Sequence, residues 1–360
     1  MFGLLRTTLA LMVMVYHLCA EFLPFGRYAV FGFYIISGYL MTLIMHERYG
    51  YDFRGRRSYC LNRALRLYPQ YWAAALFSVL LIVVWGADTT ARFHQSLYWP
   101  SSMAEIARNI LMVFPAWFPN SLDPRLVPPA WALTVEIFFY ILICFGLSKT
   151  PRRVAVWIVV SVCYVLFTYA AGWSWPTRYF TVPAASLPFS LGAAVYFVSR
   201  SASCRTMLEH WRLSGAKLFI ALLANSAFWS GLAVADAGDF VEAGFYCNIV
   251  IATLLVFCLA NGGKIFEMDK GADKKVGDYS YPVYLLHWQC GFLASWIIFG
   301  EAFHEFSFRG VVALAFSFVI VGALSAFLIH CVDAPIERLR SRIRPGGAPG
   351  KSESLHPSAV

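Results

Sequence analysis

Three uninterrupted apolar runs constrain this chain more than anything else in it. They cover residues 72–85, 137–147 and 311–329, the last without a single charge. About 18 or more apolar residues are enough to cross the hydrocarbon core of a bilayer as a helix. The helix also closes every backbone hydrogen bond within its own segment, which lipid requires. Composition agrees: 59% of the 360 residues are hydrophobic and 14% are charged, against about 25% charged in an ordinary soluble domain. So few charges could not cover a soluble fold of this size. The same numbers exclude a disordered chain, a collagen-like fibre and a small disulfide-stapled scaffold.

Windows of roughly 17–25 apolar residues predict an all-α, polytopic membrane bundle of about ten transmembrane helices. They lie near residues 4–23, 28–46, 67–86, 129–147, 153–171, 179–199, 217–236, 245–260, 282–299 and 309–331. Segment 103–118 is too short and polar to cross, and reads as an interfacial or re-entrant helix ended by Pro115 and Pro119. Residues 1–338 form one transmembrane domain in this reading. Residues 339–360, rich in Pro, Gly and Ser, form a disordered cytoplasmic tail. With the N-terminus cytoplasmic, 23 of the 29 Lys and Arg residues fall on inner segments. Only Arg27, Arg92, Arg108, Arg125, Arg178 and Arg309 remain outside. The positive-inside rule therefore puts both termini in the cytoplasm of a multi-pass protein of the inner (cytoplasmic) membrane. It also accounts for the net charge of +9 without a nucleic-acid partner. The nine cysteines form no CxxC pair, so neither a zinc site nor a disulfide framework is expected, and no metal. The first span lacks an Ala-x-Ala cleavage site and is expected to be retained.

Ionisable side chains inside spans are costly and mark candidate sites. Four stand out: Arg6, His17, Glu136 and His287. Arg6 and His17 are eleven residues apart, about 20° from one helix face and about 16 Å along the axis. Arg6 thus sits at the cytoplasmic mouth and His17 in the outer half of the membrane. Their plainer roles are an arginine snorkelling to lipid phosphates and a histidine satisfied by a carbonyl. Glu136 lies seven residues beyond Pro129, about 10 Å into a helix entering from the outer side. That matches the depth of His17, so the carboxylate is expected to orient the imidazole. His287 falls near the inner end of its span. His46, His94, His210, His304 and His330 sit at span ends or in loops and receive no role. In the first inner loop Arg63 and Arg66 share a helix face, and arginine forks suit phosphate. Arg54, Arg56 and Arg57 read as topology determinants only.

Five segments, in order, carry a resemblance. RTTLALMVMVYH holds Arg6 and His17 separated by ten residues, and FGFYIISGYLMT holds Ser37 and Gly38. RALRLYP gives Arg63, Arg66 and Pro69; AWALTVEIFFY gives Trp131, Glu136 and Tyr140; YSYPVYLLHW gives Ser280, Tyr284 and His287. Together they resemble the acyltransferase-3 family, integral-membrane enzymes that O-acylate carbohydrates. The chain departs from the family pattern at Phe31, where an acidic residue is common, at Ala132, where Ser is usual, and at Asp333–Ala334–Pro335, where Glu-Lys-Pro is common.

The resemblance implies transfer of an acyl group, most often acetyl from acetyl-CoA, to the hydroxyl of a cell-envelope or exported carbohydrate. In that reading His17 is the general base and Glu136 orients it. Arg6, Arg63 and Arg66 hold the phosphates of acetyl-CoA, and His287 lies nearer the thioester. Ser37 is a hydrogen-bond donor or a site of acyl transfer, or else part of a Ser-Gly pair that permits close helix packing. The competing class is a transporter or flippase of a glycan or lipid-linked substrate, with the buried Arg, His and Glu lining an ion path. Membrane lipids are expected partners, and the oligomeric state is open.

Overall fold

The structure is a computed structural model that describes residues 2–201, 214–235 and 241–343. Among these residues every regular element is helical. The helices are α1 (Gly3–Cys19), α2 (Phe25–Ile44), α3 (Phe53–Trp85), α4 (Ala87–Phe93), α5 (Met103–Leu111), α6 (Ala130–Cys144), α7 (Pro151–Ala170) and α8 (Trp175–Tyr179). They continue as α9 (Ser186–Val198), α10 (Gly215–Val234), α11 (Val241–Ala260), α12 (Lys270–Asp278), α13 (Ser280–Phe299), α14 (Phe308–Leu328) and α15 (Ala334–Ile343).

Seven helical stretches among the described residues are long and apolar enough to cross a membrane. Three further expected spans are apolar but shorter: Gly3–Cys19, Ala130–Cys144 and Pro183–Val198. The periphery, α7, α10 and α14, turns large apolar side chains such as Leu166, Phe228 and Val319 outward. Exposed apolar surface on that scale needs lipid. The short α1, α6 and α9 are packed against neighbouring helices, α1 against α13 and α2, and α9 against α2. Arg6 and His17 lie on α1 and Glu136 on α6.

Close packing at the centre depends on small residues. A Cβ at Gly38 would stand 2.2 Å from the carbonyl oxygen of Phe189, and one at Gly192 would stand 2.0 Å from that of Ile35. Each helix of the α2–α9 pair therefore sinks a glycine against the other's backbone, the small-residue device of membrane helix packing.

Two expectations about the chain's course change. The arginine-rich segment from residue 53 is not a loop leading to a span. It is the first four turns of α3, whose 33 residues run through Pro69 without a break. The segment before α6 also enters the bundle. Helix α5 starts with a Ser102–Glu105 capping box and stops at Leu111 because Met112 adopts a left-handed φ of 54°; the stop comes before Pro115. Tyr71 Oη then donates to the carbonyl of Asn109 at 2.7 Å, and Asn109 Nδ2 donates to the carbonyl of Pro124 at 2.9 Å. Thr134 Oγ1 receives the amide of Phe114 at 3.1 Å and donates to the carbonyl of Met112 at 3.2 Å. The whole connection is thereby pinned against α3 and α6. At the far end of the chain, α15 continues to Ile343, past the boundary at 338 expected for the tail. Residues 344–360, and Arg205, His210 and Arg212, lie outside the described residues.

Basic segments gather at one end of the bundle. The amides of Gly3 and Leu4 donate to the Asp273 carboxylate at 3.0 and 3.1 Å, joining the start of α1 to α12. Arg200 pairs with Glu47. Arg66 pairs with Asp333 at 2.8 Å, bringing the start of α15 to α3.

Candidate active site

Two groups of polar side chains lie one above the other along α1 and α13. The group nearer the basic end surrounds a cavity of about 130 Å³, roughly ten times the least space that holds one water. Arg6, Ser37, Arg63, Arg66, Glu136 and Tyr284 line it. The sequence reading grouped only Arg6, Arg63 and Arg66 as phosphate ligands; the fold adds Ser37, Glu136 and Tyr284 to the same cavity.

Their states differ. Arg6 also lines an adjoining open recess shared with Lys270 and Lys274. No described side chain hydrogen-bonds its guanidinium. Arg63 makes two weak contacts, to Asn62 Oδ1 at 3.2 Å and Met41 Sδ at 3.9 Å, and its Nε is buried without a partner. Arg66 is already engaged: its Nη1 donates to both carboxylate oxygens of Asp333, at 3.0 and 2.8 Å. The chain's departure at residue 333 therefore falls on the partner of a cavity arginine.

Glu136 does not meet His17. It accepts from Ser37 Oγ at 2.8 Å and from Tyr140 Oη at 3.1 Å. The expected pairing fails because α6 does not begin at the outer surface. Tyr284, four residues into α13, donates its hydroxyl to the carbonyl of Pro129 at 3.2 Å, so the helix starts inside the bundle. Seven residues further on, Glu136 is about 10 Å closer to the basic end. The Ser37 hydroxyl binds Glu136, while Gly38 beside it makes the close approach to α9.

The second group lies one turn past Tyr284. The rings of Tyr284 and His287 are 6.2 Å apart, and His287 stacks on His17 with centroids 5.3 Å apart and planes at 14°. Trp288 lies 5.0 Å from His17 and is met edge-on by His94 at 4.2 Å and His304 at 5.1 Å. His287 is therefore not placed at the cavity of the arginines but against His17. Its Nδ1 sits 2.9 Å from the carbonyl of Tyr284. A carbonyl only accepts, so that nitrogen carries the proton and Nε2, buried and unpartnered, keeps its lone pair. His94 is the reverse: the amide of Ser96 donates to its Nδ1 at 3.1 Å. Burial first, then the charges of His17, Arg125 and His304, push His94 down to about 3, so it stays neutral at physiological pH.

His94 and His304 carried no signal in the sequence, because each is a single histidine in a connecting segment. No group of three or more His, Cys, Asp or Glu side chains among the described residues is arranged to hold a metal ion. The arrangement offers a chemically simple pair of functions. Guanidinium donors of Arg6 and Arg63 face the cavity, and beyond its upper wall stand two stacked imidazoles, His17 and His287, the latter with an unpartnered Nε2.

A family model described as an acyltransferase domain matches residues 2–335, nearly the whole chain. Neither a curated protein nor a solved structure matches it.

Proposed function

We propose that this chain, which belongs to the acyltransferase-3 family by that match, transfers an acetyl group from acetyl-CoA on the cytoplasmic side to a hydroxyl of an exported or cell-envelope carbohydrate. The basic end faces the cytoplasm in this reading, as the positive-inside rule favours. Arg6 and Arg63 meet the CoA phosphates with donors that have no strong partner. Arg66 contributes the donors that Asp333 leaves free. The acyl-pantetheine arm runs up the cavity past Tyr284 towards His17, about 16 Å from Arg6 along α1.

At His17 the acceptor hydroxyl gives its proton to Nε2 as its oxygen attacks the thioester carbonyl. The C–S bond then breaks, the thiolate leaves, and the imidazolium returns the proton to it. The products are the ester and CoA. Neutral imidazole suits both steps near pH 7. Glu136, held by Ser37 and Tyr140, sits beside the arginines and acts on the donor end. The observation that carries this reading is the continuity of the two groups: Tyr284 lines the cavity, and its ring is 6.2 Å from the His287 ring that stacks on His17.

Acetyl-CoA consumption by the purified protein with a carbohydrate acceptor tests it. His17→Ala should lose on the order of 10²–10⁴-fold in rate while still binding the donor, and His17→Gln should be nearly as inactive. Substantial transfer by His17→Ala would move the base to His287, whose Nε2 is the other free lone pair. Absence of any acyl-CoA turnover in the wild type, with transport of a glycan instead, would replace the enzyme reading altogether.

A further inference from the structure

We infer that Glu21 is the residue that positions His17, holding the tautomer that leaves Nε2 free to accept the acceptor's proton. The inference rests on the reading of His17 as base and adds to it the group that the base works through.

The local backbone sets this up. Helix α1 stops at Cys19, and the chain turns at once: the Ala20 amide donates to Tyr16 O at 3.0 Å and the Leu23 amide to Ala20 O at 2.9 Å. That hydrogen-bonded turn carries Glu21 one helical turn beyond His17. Its Oε1 comes to 3.2 Å from His17 Nδ1. Burial by itself would raise the Glu21 carboxyl, but the hydrogen bond from His17 and the nearby His304 and Arg27 outweigh it and hold the group below the usual carboxylate range. Glu21 is therefore ionised at neutral pH and can only accept. The proton must reside on His17 Nδ1, and Nε2 keeps the lone pair.

The rest of the ring's surroundings fix its plane and not its protons. His287 stacks on one face, Trp288 is tilted against it at 5.0 Å, and Tyr16 meets it edge-on at 4.8 Å. None of these offers a hydrogen bond to Nδ1. Glu136, the carboxylate expected from the sequence, is bound elsewhere by Ser37 and Tyr140. Among the described residues Glu21 is the carboxylate that reaches the ring. Its negative charge also stabilises the imidazolium that forms in transfer, as a buried carboxylate does behind a catalytic histidine. Because its side chain is 48% exposed, water screens that charge and the effect is smaller than in a buried dyad.

The test uses the full-length protein in detergent or nanodiscs, with acetyl-CoA as donor. Glu21→Gln keeps an acceptor but removes the charge, and Glu21→Leu removes both. Glu21→Gln should lower kcat by about ten-fold and Glu21→Leu by more, each with the KM for acetyl-CoA unchanged, since the phosphates are met some 16 Å away. Nitrogen NMR of histidine-labelled protein supplies a readout independent of turnover. The signal lost in His17→Ala should report a proton on Nδ1 in the wild type and a tautomer mixture in Glu21→Leu. Full kcat in Glu21→Leu beside an inactive His17→Ala would overturn the role of Glu21 and leave the base intact. An unchanged His17 signal in Glu21→Leu would overturn it equally. Activity in His17→Ala would instead bring down the catalytic reading on which it rests.

Discussion

Arg66 and Asp333 allow a binding role to be separated from an architectural one. Arg66 lines the cavity and is also bound by both oxygens of Asp333. Arg66→Ala should therefore do two things. It removes a donor for phosphate, worth roughly 1.5–3 kcal/mol as a charged hydrogen bond, which raises the KM for acetyl-CoA roughly 10- to 150-fold. It also strands the Asp333 carboxylate. Breaking a fully buried ion pair costs about 3–5 kcal/mol. These two side chains keep 15% and 14% exposure, and partial hydration reduces the cost to about 1–2 kcal/mol. The melting temperature in detergent should fall by roughly 1–3 °C. Removing the stranded carboxylate as well, in Arg66→Ala/Asp333→Ala, should recover most of the stability and none of the donor affinity. Arg63→Ala should raise the KM without the stability loss, because among the described residues its partners are Asn62 and the Met41 sulfur. Exposed Arg54, changed to Ala, should alter neither. Donor titrations and thermal scans on the five proteins decide the matter. Recovery of donor KM in the double variant would refute the phosphate contact and leave Arg66 a purely structural residue.

Gly38→Ala should destabilise the bundle by about 1–3 kcal/mol through overpacking, since the new methyl meets the Phe189 backbone at 2.2 Å; an unchanged thermal midpoint would show that α2 and α9 can separate freely. His94, neutral in the fold down to about 3 but titrating near 6.5 when unfolded, makes the unfolded state bind the extra proton between those values. Stability should therefore fall as pH drops below about 6.5, by at most about 1.4 kcal/mol per unit, and a scan of melting temperature from pH 7 to 5 should be flatter for His94→Gln. Single-cysteine proteins carrying only the exposed Cys60 or Cys331 should react with an impermeant maleimide from the cytoplasmic side; periplasmic labelling of Cys60 would invert the orientation and with it the donor entry.

Much of this protein was determined by the sequence alone. An apolar run of bilayer length has one economical solution in lipid, a helix, so an all-helical membrane bundle follows from residues 311–329 and the windows like it. The spacing of Arg6 and His17 likewise follows from helix geometry, because both lie on one continuous element. What sequence could not give is how elements stand against one another in depth. Helical periodicity locates a residue relative to its own helix ends, and nothing in PPAWALTVE says that Pro129 is bonded by Tyr284 inside the bundle. That docking, set by the buried contacts of residues 94–128, moves Glu136 down to the arginines and leaves His17 without it. The same reason hid Glu21, which comes into reach only because α1 stops at Cys19 and turns, and His287, which lies at the level of His17 because α1 and α13 pack side by side. Local chemistry fixed which side chains were worth watching; the register between helices, a property of packing, fixed which of them meet.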